Sequence, residues 1–111
     1  MTTVTVISHG AANVASVQFA LERLGASVRL TTEVAAVEDA ERLILPGVGA
    51  AAYAMGRLRE LGLMEAIRAF QRPLLGVCLG QQLLFEASDE GEAELLGLLP
   101  GRVTALKPTP G

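Results

Sequence analysis

Aromatic residues are scarce in this chain, 4 % of 111 residues with no tryptophan, so its core must be built from the abundant Leu, Ala and Val. A single cysteine excludes an internal disulfide and any cysteine-based zinc cluster, and it fits a reducing compartment. Basic charge is also in short supply. Nine Lys and Arg stand against twelve Asp and Glu, a net charge of −3, which argues against binding the phosphate backbone of a nucleic acid. Long apolar runs are missing too. The charge-free apolar stretches 43–56 and 73–85 are too short to span a bilayer and carry Pro or Gly. The start, Met1-Thr2-Thr3-Val4, has neither the charged region nor the apolar stretch of a secretory signal. The expectation is a soluble, cytoplasmic protein with no metal, no cofactor, no membrane and no nucleic-acid partner.

What is present is apolar. Half of the residues are hydrophobic and 19 % are charged, a balance that excludes disorder. A chain of this length forms a single domain and buries about two-thirds of the surface that its unfolded form exposes.

Short apolar runs alternate with longer amphipathic ones. Val4-Thr5-Val6-Ile7 is β-branched and predicts a strand ending near Ser8. Asn13 is a good N-cap for a helix with apolar positions at Val14, Val17, Leu21 and Leu24, which Gly25 closes. Residues 27–30 predict a weaker strand, and 33–40 a short helix capped by Thr32. Leu43-Ile44-Leu45 reads as a strand that Pro46 ends. The loop Pro46-Gly47-Val48-Gly49 leads into an Ala-rich helix carrying Met55, Leu58 and Leu61. Gly62 interrupts that helix, and Leu63, Ile67 and Phe70 continue its stripe to Gln71. Leu74-Leu75-Gly76-Val77 predicts another strand, 79–87 a helix, 88–94 an acidic turn and 102–106 a last strand. Strands without polar alternation are normally buried on both faces, as in a parallel sheet between helices. Four β–α units therefore predict a doubly wound, mostly parallel, flavodoxin-like α/β domain with right-handed crossovers. Lys107-Pro108-Thr109-Pro110-Gly111 reads as a Pro-rich connector. The single domain at 1–111 is expected to be partial, with apolar surface left open.

Gly76-Val77-Cys78-Leu79-Gly80 sits where a buried strand is predicted to meet a helix, the context of a glycine-flanked nucleophile elbow. Such a turn strains its central residue by about 1–3 kcal/mol and presents the side chain at the carboxyl edge of the sheet. At the start of a helix, the dipole and free N–H groups favour a thiolate, and the amide of Leu79 points toward the oxyanion formed when Cys78 attacks a carbonyl. The alternative is a buried, inert cysteine at a tight turn. Pro46-Gly47-Val48-Gly49 also follows a predicted strand, so it should neighbour Cys78 near a topological switch point, with main-chain N–H groups free for a ligand. A plain glycine turn is the other reading. Phosphate binding fits less well, because no Lys or Thr follows as in a P-loop. Of the adjacent Gln81 and Gln82, only one amide can face the cleft.

Gly76-Val77-Cys78-Leu79-Gly80-Gln81-Gln82-Leu83-Leu84 resembles the nucleophile motif of class I (triad-type) glutamine amidotransferases. Within that class, Leu45-Pro46-Gly47-Val48-Gly49-Ala50 with Ala54-Met55 is similar to the glutaminase subunit of imidazole glycerol phosphate synthase. So are Gly62-Leu63 with Glu65-Ala66-Ile67, Phe85-Glu86, and Gly97-Leu98-Leu99-Pro100-Gly101-Arg102-Val103. The resemblance implies hydrolysis of L-glutamine to glutamate and ammonia, with Cys78 forming the glutamyl thioester. It implies an oxyanion hole from the amides of Leu79 and, after a peptide reorientation, Val48, and substrate contacts at Gly47, Gly49 and Gln82. It further implies a heterodimer with a β/α-barrel cyclase subunit that receives the ammonia in histidine biosynthesis.

The family's triad His and Glu lie downstream of the cysteine, and no residue here occupies those positions. The resemblance covers about the first half of a typical member, so little activity is expected of these residues by themselves. Where the family has Asp-Tyr-Gly-x-Gly-Asn, this chain has Ser8-His9-Gly10-Ala11-Ala12-Asn13. Its only histidine, His9, is thereby placed on the Cys78 edge, as a substitute base or as a plain loop residue. Ala51-Ala52-Tyr53 replaces a stretch that is often Phe-Gly-Asp. A non-catalytic α/β binding or regulatory domain and another thiol hydrolase with a cysteine elbow remain as alternatives.

Overall fold

The computed structural model describes residues 2–10, 14–88 and 93–104. Four strands, β1 (Thr3–Ile7), β2 (Ser27–Thr31), β3 (Leu43–Gly47) and β4 (Leu74–Cys78), form a wholly parallel sheet in the order β2-β1-β3-β4. Helices α1 (Val14–Arg23), α2 (Val34–Asp39), α3 (Ala51–Glu60), α4 (Met64–Arg68) and α5 (Leu79–Leu83) complete the β–α units. The strand order reverses between β1 and β3, so the switch point of a doubly wound sheet lies at their carboxyl ends.

The two faces of the sheet are covered unequally. Ile7, Leu43 and Leu45 point into the main core, where Val37 of α2, Met55 and Leu58 of α3, Ile67 of α4 and Leu83 of α5 pack against them. On the other face Val4, Val6 and Ile44 meet Val14, Val17 and Leu21 of α1, a helix with no fully buried residue, together with Ala26, Val28 and Val77. The expectation that every apolar strand is buried on both faces therefore fails at β4. It is an edge strand, and Leu75, on the α1 side, is 58 % exposed.

Some boundaries differ from the sequence reading, and two of them trace to partners distant along the chain. Pro46 does not end β3 but lies within it, opposite Val77. Leu43 N–H bonds to Pro73 on the β4 side, so by strand alternation Pro46 turns its nitrogen toward β1, whose pairing with β3 stops at Ile44. The predicted cap of α2 is displaced by one residue. Glu33, rather than Thr32, holds the N-cap position and makes no side-chain capping bond, while its own N–H donates to Thr31 Oγ1 at 2.9 Å. The helix predicted over 79–87 stops at Leu83 because the carbonyls of Leu83, Leu84 and Phe85 accept from the amides of Leu96, Leu99 and Gly97. In place of the rest of that helix, Ala87–Ser88 is a strand, β5. It pairs antiparallel with β6 (Ala93–Glu94) and parallel with β7 (Arg102–Val103). Asn13, the centre of the acidic turn at 89–92 and the connector at 107–111 lie outside the described residues.

Glycine 80 shows how tightly α5 is set against β3. A Cβ there would lie 1.8 Å from the carbonyl oxygen of Leu45, whereas one on Gly56 in α3 would meet nothing within 4 Å. Gly80→Ala should lower the unfolding free energy by about 3 kcal/mol or more through overpacking, and Gly56→Ala should raise it by ~0.5–1 kcal/mol through helix propensity. Urea denaturation of both variants reads this directly; similar midpoints would contradict the packing at Gly80.

Candidate active site

Cys78 stands at the junction of β4 and α5 with φ 55 and ψ −123. It is exposed, and among the described residues it is the one non-glycine with a positive φ. Glycines on three sides explain how the turn closes. A Cβ on Gly76 would fall 2.6 Å from the Cα of Gln81, and one on Gly80 would strike the Leu45 carbonyl. A Cβ on Gly47, the register partner of Cys78, would come within 3.1 Å of Gly80 N and Leu79 Cβ. The glycines of the motif thus let a strained cysteine and the first turn of α5 lie against the end of β3. Because α5 has only five residues, it offers Cys78 the orphan amides of its first turn rather than the field of a long helix.

An open cavity of about 380 Å3 lies against this junction, lined by Pro46, Gly47 and Val48 from the β3 end and by Val77 and Cys78 from β4. Its size suits a small molecule. The two glycine segments singled out in the sequence are thereby brought together. Among the described residues, Gly49, Leu79 and Gln82 lie outside this lining. Leu79 is buried beneath the turn, Gln82 is half-buried, Gln81 faces solvent and Gly49 follows Val48 with φ 85. The third wall was not foreseen. Ser16, Val17 and Ala20 of α1 supply it, and the available signal was that α1 follows β1, whose carboxyl end adjoins that of β3. A larger groove of about 540 Å3, lined by Val34, Glu38, Glu65, Phe70 and Arg72 among others, holds none of these residues. Among the described residues no cluster of His, Cys, Asp and Glu could hold a metal ion.

His9 is neither solvent-exposed nor poised as a base. Its ring is fully buried, and Nε2 lies 2.6 Å from the carbonyl oxygen of Pro46. A carbonyl only accepts, so Nε2 carries the proton and donates it. Burial pushes the imidazole pKa below its usual value near 6.5, against the raising effect of the Pro46 carbonyl and with a smaller lowering contribution from the Arg57 charge.

The glutamine amidotransferase class-I family model matches residues 4–97 of this chain. The imidazole glycerol phosphate synthase subunit HisH of Xanthomonas euvesicatoria pv. vesicatoria (strain 85-10) is 56 % identical over 111 residues, 100 % of this chain and 56 % of that protein. The protein of the same name from Xylella fastidiosa (strain Temecula1 / ATCC 700964) is 54 % identical over 110 residues, 99 % of this chain and 55 % of that one. The chain thus spans about half the length of the curated relatives it matches.

Two outcomes follow from the geometry. Glycine tolerates the dihedrals that strain Cys78, so Cys78→Gly should be about 1–2 kcal/mol more stable than Cys78→Ala in urea denaturation; equal stabilities would deny the strain. The lowered pKa of His9 has a definite sign. Above the usual value the folded and unfolded chains are both neutral at this residue. Below it the unfolded chain binds a proton that the folded one refuses, so stability falls with pH. From about pH 7.5 to about pH 5.5, the native sequence should lose more stability than His9→Gln; parallel losses would contradict a buried neutral imidazole.

Proposed function

We propose, since this chain belongs to the class-I glutamine amidotransferase family, that it carries the nucleophile and oxyanion hole of a glutaminase that hydrolyses L-glutamine to glutamate and ammonia. The observation that carries this reading is the exposed, strained Cys78 in register with Gly47, beside a cavity that both line. A purely structural cysteine gives no reason for that strain, and other thiol hydrolases give none for the close likeness to imidazole glycerol phosphate synthase subunits.

In the proposed reaction the Cys78 thiolate adds to the carboxamide carbon of glutamine. The negative charge passes to the carboxamide oxygen, which accepts from the amide of Leu79 and, once the Gly47–Val48 peptide turns over, from that of Val48. A single such donor is typically worth ~2.7–4 kcal/mol of barrier. Collapse of the adduct breaks the C–N bond, and the nitrogen leaves as ammonia after taking up a proton. Water then cleaves the thioester to glutamate and frees the thiolate. Gly47, Gly49 and Gln82 contact the bound glutamine. The ammonia passes to a β/α-barrel cyclase subunit in a cytoplasmic heterodimer of histidine biosynthesis.

Both proton transfers need a positioned acid–base group, worth ~10²–10⁴-fold. His9, the sole histidine of the 111 residues, is fully buried and does not line the cavity beside Cys78. We assign the triad His and Glu to none of these 111 residues.

Covalent labelling tests the reading. 6-Diazo-5-oxo-L-norleucine, a glutamine-analogue electrophile, should modify Cys78, and L-glutamine should protect it where L-asparagine does not. Unselective labelling, or labelling that glutamine leaves unchanged, would refute a glutamine site. Steady-state glutamate release by the 111-residue chain should fall about 10²-fold or more below that of a full-length relative; comparable turnover would show that a base is already present.

A further inference from the structure

The strand end that presents Val48 has lost its main-chain support on one side. Pairing of β3 with β1 stops at Ile44, and Pro46 has no N–H to contribute. In a parallel strand the N–H and C=O of one residue turn to the same neighbour, so Pro46 aims its carbonyl toward the side that β1 has vacated. His9, two residues past the end of β1, fills the place of the missing strand. Its Nε2–H donates to that carbonyl at 2.6 Å from a fully buried ring.

The histidine is itself anchored. Arg57 of α3 donates from Nε to the carbonyl oxygen of His9 at 2.8 Å, and its Nη1 pairs with Glu60 at 2.7 Å. Gly10, with φ 89, leaves room for the guanidinium, since a Cβ there would sit 3.3 Å from Arg57 Nε. Residues 48–50 run from the end of β3 to the start of α3 at Ala51. The chain of contacts from Arg57 through His9 to Pro46 therefore ties the element after this loop to the residue before it.

We propose that His9 is a positioning residue for the oxyanion loop, its imidazole fixing the Pro46 peptide so that Gly47 and Val48 are held beside Cys78. The proposal deepens the glutaminase reading and rests on it. His9 touches no substrate in this role and transfers no proton.

The test compares two electrophiles on the 111-residue chain. A chloroketone analogue of glutamine is attacked at its carbonyl and passes through an oxyanion; iodoacetamide reacts with the thiol by direct displacement and does not. His9→Phe should slow the chloroketone about ten- to a hundred-fold while iodoacetamide stays within about two-fold. His9→Gln, whose amide N–H can reach the Pro46 carbonyl, should keep the chloroketone rate within about three-fold of the native chain. An unchanged chloroketone rate in His9→Phe, or equal losses in both variants, would overturn the proposal. Should His9→Phe not fold, the ring nitrogen resonances of the native chain decide. A protonated Nε2 hydrogen-bonded to a carbonyl supports the role, and an Nδ1–H tautomer overturns it.

Failure of the glutaminase reading has its own signature, a native chain that the glutamine chloroketone modifies no faster than chloroacetone does. The amide resonance of Val48 then settles the positioning claim. It supports that claim if it shifts in His9→Phe and returns in His9→Gln, and overturns it if it stays in place in both.

Discussion

A side-chain carbon on Gly80 would lie 1.8 Å from the carbonyl oxygen of Leu45, and the rest of the site is built on that lack of room. Because α5 approaches β3 this closely, the turn between β4 and α5 has no slack, and Cys78 takes up the difference with a positive φ. The same approach brings Gly47 against Leu79 and Gly80, so the end of β3 and the first turn of α5 become two walls of one junction. Strain at one residue is held by the burial around it. Leu45, Leu58 and Leu83 are fully buried in the core beneath the turn. The exposed thiol thus sits on a packed base, as the proposed attack on a carbonyl at a fixed angle requires.

The parallel sheet was legible because its strands are apolar and its glycines punctuate them, and Gly62 ended a helix where expected, with φ 71. The glycine–cysteine–glycine spacing also marked the elbow. What was not legible depended on remote partners. Nothing local in residues 84–87 announces that amides from 96–99 will capture the carbonyls of a helix that apolar periodicity would extend. Pro46 within a strand is unreadable without knowing that its nitrogen faces a side where pairing has ceased. The four apolar residues of β4 look alike in sequence, yet the strand lies at the sheet edge and Leu75 is largely exposed. Burial on both faces is a property of the assembled sheet, not of the strand.

His9 shows the same limit at the site. In sequence it is a lone histidine after a strand, open to being a base or a bystander. In the fold its Nε2–H satisfies a carbonyl that lacks a strand partner, and its burial keeps it neutral near physiological pH. In the proposed reaction, nucleophilic attack and oxyanion stabilisation are thus separated from proton transfer. The first two rest on backbone geometry that a strained turn and a glycine loop supply. The last needs a titrating group with open access, which His9 is not.

Binding of an aldehyde analogue of glutamine, glutamate γ-semialdehyde, tests the central claim most directly, because the thiol of Cys78 would convert it to a tetrahedral hemithioacetal resembling the reaction's intermediate. With carbon-labelled aldehyde and nitrogen-labelled protein, the account predicts an sp3 carbon signal and marked downfield shifts of the amide protons of Leu79 and Val48, as both donate to the new oxygen. An adduct that forms while those two amides stay where they were, or no adduct at concentrations that saturate a glutamine site, would contradict it.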